Sequence, residues 1–133
     1  MKKGCMVHLE KDAIRNTDFR RVLYTGAHMQ LVLMSLRPLE EIGLETHHDN
    51  DQFFRFEAGE GKVIIDEMEY VVMSGDTIII PAGAQHNITN TSHDADLKMY
   101  TIYAPAHHAD GIVRATKADA TAQDAPFDGV TTE

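Results

Sequence analysis

The stretch Gly75–Asn90, with the sequence GDTIIIPAGAQHNITN, decides the fold that we expect for this chain. Its two internal glycines permit tight turns with positive φ, and Pro81 favours a turn directly after the β-branched run Thr77–Ile80. His86 then follows on the next short strand, five residues beyond the proline. The stretch therefore predicts a strand, a turn and a second strand, with one histidine at a fixed position near the start of the second strand.

A second polar segment, ETHHDNDQ, begins at Glu45, about forty residues upstream of that histidine. Successive side chains of a strand point to opposite faces, so Glu45 and His47 share one face and His48 takes the other. Gln52 opens the following strand across a short polar turn and can lie beside them. A register shifted by one residue would instead turn His48 inward with Thr46 and lose Glu45. We take His47 as the inward residue.

Between these segments and around them, turn signals recur about every ten residues, which is typical of a β-sandwich or barrel. No window from Gln52 to Tyr103 has a sustained 3.6-residue apolar period, so we predict an all-β core. The predicted strands are Val22–Tyr24, Met29–Leu36, Ile42–His47, Gln52–Glu57, Lys62–Asp66, Glu69–Met73, Thr77–Ile80, His86–Thr89 and Leu97–Tyr103.

The two ends of the chain differ in composition from this core. Residues 1–18 predict a loose arm with a short helix near Leu9–Ile14. Residues 106–133 are poor in large apolar side chains, and Thr116 with Asp119 forms a weak capping box that predicts a short helix from Lys117. Beyond that helix we expect a flexible tail. We therefore assign residues 1–105 to one barrel domain, with residues 40–104 as its central part, and residues 106–133 to a C-terminal tail.

The bulk properties exclude several classes of protein. A chain of 133 residues forms one domain, and its net charge of -9 argues against a nucleic-acid partner, which needs a basic face. The single Cys5 cannot form an internal disulfide or a thiolate metal site. No apolar run approaches the roughly 20 residues that span a bilayer, and no apolar segment follows the basic N-terminus. We therefore expect no membrane contact and a cytoplasmic location.

The stretch Gly75–Asn90 resembles the cupin superfamily, whose second motif it matches at every defining position. Those positions are Gly75, Pro81, Gly83, His86 and Asn90. The first motif is looser, because Gln52 stands where glutamate is usual and Glu45 stands in the place of the first histidine. The run Asp51–Arg55 and the strand Leu97–Pro105 are similar to those of small single-domain cupins described as mannose-6-phosphate isomerase-like. The resemblance implies a double-stranded β-helix, a jelly-roll-like barrel.

By the same resemblance, the metal ligands are Glu45, His47, Gln52 and His86. Two imidazoles, one carboxylate and one amide oxygen suit Mn, Fe, Ni or Zn as the divalent ion. With one carboxylate, the metal-loaded site carries a formal charge of about +1, which favours a small anionic ligand.

An apolar wall is expected beside the metal ligands. Phe54 and Phe56 follow Gln52 on the same face of one strand, and they are expected to line the pocket. Tyr100 and Tyr103 fall on opposite faces of the last strand, and we assign Tyr100 to the pocket.

Three functions are compatible with such a site. A metal-dependent isomerase or lyase of a small anionic substrate, such as a sugar phosphate, would use the metal to polarise a carbonyl. It also needs a base, which Lys98 or Tyr100 would supply if either faces inward. A non-haem iron oxygenase would use two histidines and one carboxylate. A non-catalytic binding module is the third. We also expect a homodimer, because Met29–Leu36 would otherwise present an open sheet edge.

Overall fold

The computed structural model describes all residues from Met1 to Glu133, and its elements follow the predicted order closely. The strands are β1 (Arg20–Thr25), β2 (Gln30–Leu36), β3 (Glu45–Thr46), β4 (Asp51–Ala58), β5 (Glu60–Ile65), β6 (Met68–Met73), β7 (Thr77–Ile80), β8 (Gln85–Asn90), β9 (Leu97–Ala104) and β10 (Val113–Arg114). The helices are α1 (Leu9–Arg15) and α2 (Lys117–Ala122). Neither helix has the length or the apolar content needed to cross a membrane.

The strands form two antiparallel sheets that enclose one core. The six-stranded sheet has the order β10-β1-β2-β9-β4-β7, and the four-stranded sheet has the order β3-β8-β5-β6. Alternate residues of both sheets bury a single apolar cluster between them, with Phe54, Phe56 and Ile88 among its fully buried members. This jelly-roll-like sandwich confirms the all-β prediction.

Strand β2 is buried on both faces. A strand with alternating apolar and polar residues would be buried on one face only. Val32, Met34 and Leu36 belong to the core cluster between the sheets. The alternate residues lie on the outer face, where α1 packs across β2, β9 and β4. In addition, β2 lies between β1 and β9, so it has no open edge. The edge argument for a homodimer was therefore wrong for this strand, although the dimer itself stays a prediction.

The C-terminal residues are bonded to the sandwich along their length. The predicted helix is confirmed as α2, where the Thr116 side chain accepts a hydrogen bond from the Asp119 N–H at 3.1 Å. The expected flexible tail is wrong, because β10 pairs with β1 and the Thr132 N–H donates to the Thr25 carbonyl at 2.9 Å. Residue 105 thus marks a change in composition and not a change in packing.

One turn of the sandwich requires glycine for two separate reasons, and this gives a testable prediction. Gly59 has a φ of 92°, and a Cβ there would lie 2.5 Å from the Asp96 carbonyl oxygen. Gly75 has a φ of 93° but faces open space. The backbone strain alone should cost Gly75→Ala about 1 to 2 kcal/mol of unfolding free energy. Gly59→Ala should cost roughly 2 kcal/mol more, because it also overpacks the turn. Urea denaturation of both variants measures the difference, and equal losses would contradict it.

Candidate metal centre

Two neighbouring strands of the four-stranded sheet bring Glu45 and His86 together. The two residues are direct cross-strand partners of β3 and β8, so their side chains leave the same face. His47 follows β3 by one residue and therefore shares that face with Glu45. The His47 carbonyl accepts a hydrogen bond from the Gly83 N–H at 2.9 Å, which joins it to the turn before β8. The two polar segments of the sequence thus meet at one end of the sandwich.

The side chains of Glu45, His47 and His86 form a compact group of potential metal ligands. One ligand atom from each lies within 4.8 Å of the other two, and the two imidazole centroids are 5.2 Å apart. His47 Nε2 is 3.1 Å from Glu45 Oε2. Ligands of one divalent ion stand roughly 3 to 4 Å apart, so small side-chain rotations complete the set.

His86 has the protonation pattern of a metal-binding histidine. Its Nδ1 lies 3.0 Å from the Ala84 carbonyl oxygen, which can only accept, so Nδ1 carries the proton. The other nitrogen, Nε2, is buried without any hydrogen-bond partner. Burial also lowers the pKa of the ring below its ordinary value, which keeps the imidazole neutral. A buried lone pair with no partner is costly, and a metal ion would satisfy it.

Gln52, on β4 of the six-stranded sheet, has a second buried atom without a hydrogen-bond partner. Its side chain is 3 % exposed, and its Nε2 donates to Thr101 Oγ1 at 3.0 Å. That bond leaves the amide oxygen, Oε1, as the free acceptor, and Oε1 is buried without a partner. Gln52 is also the direct cross-strand partner of Tyr103, whose ring makes an edge contact with His47. The Glu45, His47 and His86 donors therefore fit a divalent ion, and Gln52 Oε1 is a further buried acceptor without a partner.

Glu45 is ionised in this environment. Burial by itself would raise the pKa of the carboxyl group, but the hydrogen bond with His47 and the nearby positive charges outweigh it. The resulting pKa lies below the ordinary value. A carboxylate beside two imidazoles is the chemistry that a borderline divalent ion prefers.

Three aromatic residues that the sequence prediction did not assign to the site form a cluster that packs against His47. The His107 ring lies 4.2 Å from the His47 ring, centroid to centroid, and 5.2 Å from the Tyr103 ring. His108 Nε2 lies 3.2 Å from the Tyr103 hydroxyl. Burial lowers the pKa of His108 to about 2 and raises the pKa of Tyr103, so both are neutral. Composition gave no signal for the two histidines, because they belong to an otherwise polar tail.

A buried glutamine holds these two histidines in place. Gln30 Oε1 accepts hydrogen bonds from the N–H groups of His107 and His108, at 3.2 and 3.0 Å. Gln30 Nε2 donates to the His108 carbonyl at 2.7 Å and to Thr25 Oγ1 at 2.9 Å. All the hydrogen-bonding capacity of this amide is used, so the C-terminal segment has a fixed position over the site.

The other predicted site residues are divided between the two faces of the sheets. Phe54 and Phe56 point inward from β4, as expected, and belong to the buried core. Tyr100 was wrongly assigned to the pocket: it is half-buried on the outer face near Phe53, while Tyr103 points inward. The alternation of β9 separates the two tyrosines but does not reveal which face is covered by the second sheet.

The positions of His48 and Lys98 decide two questions that the sequence left open, which histidine is inward and whether Lys98 can act as a base. His48 is exposed and stands outside the ligand group, whereas His47 belongs to it. Lys98 also lies on the outer face, where its Nζ donates to the Asn16 carbonyl at 2.6 Å and to Ser35 Oγ at 3.0 Å. Neither Lys98 nor Tyr100 can therefore serve as a base at the site.

A cavity of about 360 Å³ opens beside Glu45. Its walls include Arg20 from β1, Lys117 from α2, and the two histidines of the C-terminal segment. Ligand cavities in proteins commonly begin at about 300 Å³, so this space suits a small molecule. The arrangement can hold a metal ion with such a molecule next to it.

Comparison with known proteins agrees with this fold, and the match spans about two thirds of the length of the curated relatives. Residues 32–103 match the family model Cupin_2, which is described as a cupin domain. The uncharacterized protein YrkC of Bacillus subtilis is 43% identical over 126 residues, which cover 90% of this chain and 67% of that protein. An uncharacterized protein of Acanthamoeba polyphaga mimivirus is 43% identical over 109 residues, covering 80% of this chain and 68% of its relative.

A solved structure is similar over nearly the whole length. The crystal structure of a Bacillus halodurans protein superposes with a TM-score of 0.88 at 42% identity. The match covers 91% of this chain and 96% of that one. At 91% of this chain, the match extends well beyond residues 32–103 of the family model.

Proposed function

Since this chain belongs to the cupin-domain family Cupin_2, we propose that it binds one divalent metal ion through Glu45, His47, Gln52 and His86. A small anionic molecule then binds in the cavity beside the ion. The observation that carries the proposal is the pair of buried, unpartnered atoms, His86 Nε2 and Gln52 Oε1. Buried polar atoms in proteins are normally paired, so two unpartnered acceptors favour a bound ion.

Elemental analysis of protein purified without added metal tests the first half of the proposal. We expect about one equivalent of Mn, Fe, Ni or Zn per chain, from the single set of ligands. Protein that contains no metal and binds none of these ions in calorimetry would contradict the proposal.

One candidate reaction, implied by the mannose-6-phosphate isomerase-like resemblance, is isomerisation or lysis of a small anionic substrate such as a sugar phosphate. Because Lys98 and Tyr100 lie on the outer face, its base would have to be another residue of the site. The metal would supply Lewis-acid polarisation of a carbonyl group. The chain's own residues would orient the substrate in the cavity, and His107 with Tyr103 would exclude water from the ligand group. Conversion of sugar phosphates by metal-loaded protein, followed by NMR, tests this reaction directly.

A second candidate is a non-haem iron oxygenase, because the compact ligand group contains two histidines and one carboxylate. Ferrous loading followed by measurement of oxygen uptake distinguishes it from isomerisation, which consumes no oxygen. Tight ligand binding with neither activity would instead favour the non-catalytic binding module.

The neutral Gln52 gives a prediction about charge. Gln52→Glu would add a second carboxylate to the ligand set and lower the formal charge of the metal-loaded site by one. We expect metal affinity to rise by about tenfold, while affinity for an anionic ligand falls by about tenfold. Calorimetric titrations with zinc and then with malonate measure both changes. The zinc affinity and the malonate affinity should change in opposite directions. A fall in both would show that Gln52 only supports the structure.

A further inference from the structure

The cavity beside Glu45 contains an arginine that has no partner in the protein. Arg20 lines this cavity from β1, and its Nε is buried without a hydrogen-bond partner. Its guanidinium carbon lies 5.3 Å above the Phe19 ring, which holds the group over an apolar surface. None of the ion pairs of the protein includes Arg20. A half-buried guanidinium that makes no direct ion pair and leaves a buried N–H without a partner is costly, so its environment is suited to an external anion.

The charges around Arg20 increase that preference. Arg114 is its direct cross-strand partner, and like charges in this position repel each other. Lys117 lines the same cavity and also takes part in no ion pair. The two carboxylates on the cavity wall are Glu45, which belongs to the ligand group, and Asp124. With a divalent ion held by Glu45, the cavity carries a clear excess of positive charge.

From this arrangement we infer that Arg20 is the anchor for the oxyanion group of the ligand, a carboxylate or a phosphate, and that Lys117 assists it from the opposite side. The inference rests on the proposed function, because the other end of the ligand would lie at the metal beside Glu45. The guanidinium fork binds two oxygens of such a group at once, which fixes the ligand's orientation. Arg20 is thus a specificity-determining residue that neither the motif positions nor the metal ligands include.

Calorimetry on zinc-loaded protein tests the inference, with malonate as the carboxylate probe and methyl phosphate as the phosphate probe. Arg20→Gln should raise the Kd of the bound probe by about 10- to 100-fold, the usual effect of removing a charge-assisted bidentate contact. Arg20→Lys should have an intermediate effect, because a lysine keeps the charge and loses the fork. Whichever probe shows this dependence identifies the anchored group.

Arg21→Gln is the matched control. Arg21 is the next residue of β1, exposed on the other face, and its Nη1 pairs with Asp18 at 3.3 Å. Both variants lose one positive charge, so a general charge effect would change the Kd equally, and that result would overturn the inference. Failure of wild-type protein to bind either probe would also overturn it.

A separate zinc titration keeps the two proposals distinguishable. Arg20→Gln should bind zinc at least as tightly as wild-type protein, because Arg20 is not among the ligands and its positive charge near Glu45 repels the ion. If wild-type protein binds no zinc, the proposed metal site fails. If zinc binds normally and the anion Kd is insensitive to Arg20→Gln, only the Arg20 inference fails.

Discussion

His86→Ala should abolish metal binding, with a loss of affinity of about 100-fold or more. Replacing a residue that only supports a metal ligand costs 10- to 100-fold, and this substitution removes a ligand itself. His86 is also the cross-strand partner of Glu45, so the substitution removes the one member of the ligand group that β8 contributes. Zinc calorimetry measures the loss directly.

Stability provides a second measurement of the same effect. A metal present at about 100 times its Kd stabilises wild-type protein by about 2.7 kcal/mol, and His86→Ala should gain almost nothing from it. The matched control is His48→Ala, which removes an exposed imidazole adjacent to His47. The control should bind zinc as the wild type does. If the His86 variant retains full zinc affinity, or if both variants lose it equally, the assigned site is wrong.

Gln30→Leu should destabilise the protein by about 2 to 5 kcal/mol, although Gln30 is neither a candidate metal ligand nor a cavity-lining residue. The leucine fills the space but leaves three backbone groups without partners: the N–H groups of His107 and His108 and the carbonyl of His108. Each unsatisfied buried group costs about 1 to 3 kcal/mol, and release of the segment into water would recover part of that loss.

Urea denaturation and hydrogen exchange measure the two consequences of Gln30→Leu. The amides of His107 and His108 should lose their protection from exchange even where the core amides retain theirs. Gln123→Leu is the control, since Gln123 is an exposed glutamine of the same C-terminal segment. Unchanged protection of the two histidine amides would show that other contacts hold the segment.

Many strands of the sandwich could be predicted because short stretches of neighbouring residues determine them. The run Thr77–Ile80 and the turn after it produced β7 and β8 as expected, and the second of these strands carries His86 into the ligand group. The capping box at Thr116 likewise produced α2 where it was expected. In each case the residues that determine the structure lie within a few positions of one another.

The parts of the site that could not be predicted from the sequence depend on contacts between residues far apart in the chain. Gln30 positions His107 and His108 from 77 and 78 residues away, so nothing in the composition of the tail indicates that it is ordered. Arg20 enters the cavity because β10 and α2 extend the sandwich past β1, and no short-range pattern encodes that approach. Tyr100 was chosen over Tyr103 for a related reason, since strand alternation does not reveal which face a second sheet covers.

The two sheets supply different parts of the candidate site. Glu45 and His86 pair within the four-stranded sheet, whereas Arg20 and the support for the C-terminal histidines come from the six-stranded sheet. Under the two proposals, Glu45, His47 and His86 would come from the four-stranded side of the sandwich, and the anion anchor from the six-stranded sheet, which also carries Gln52. Mutagenesis aimed at new ligands could then vary β1 and the residues after Pro105 without replacing any proposed metal ligand.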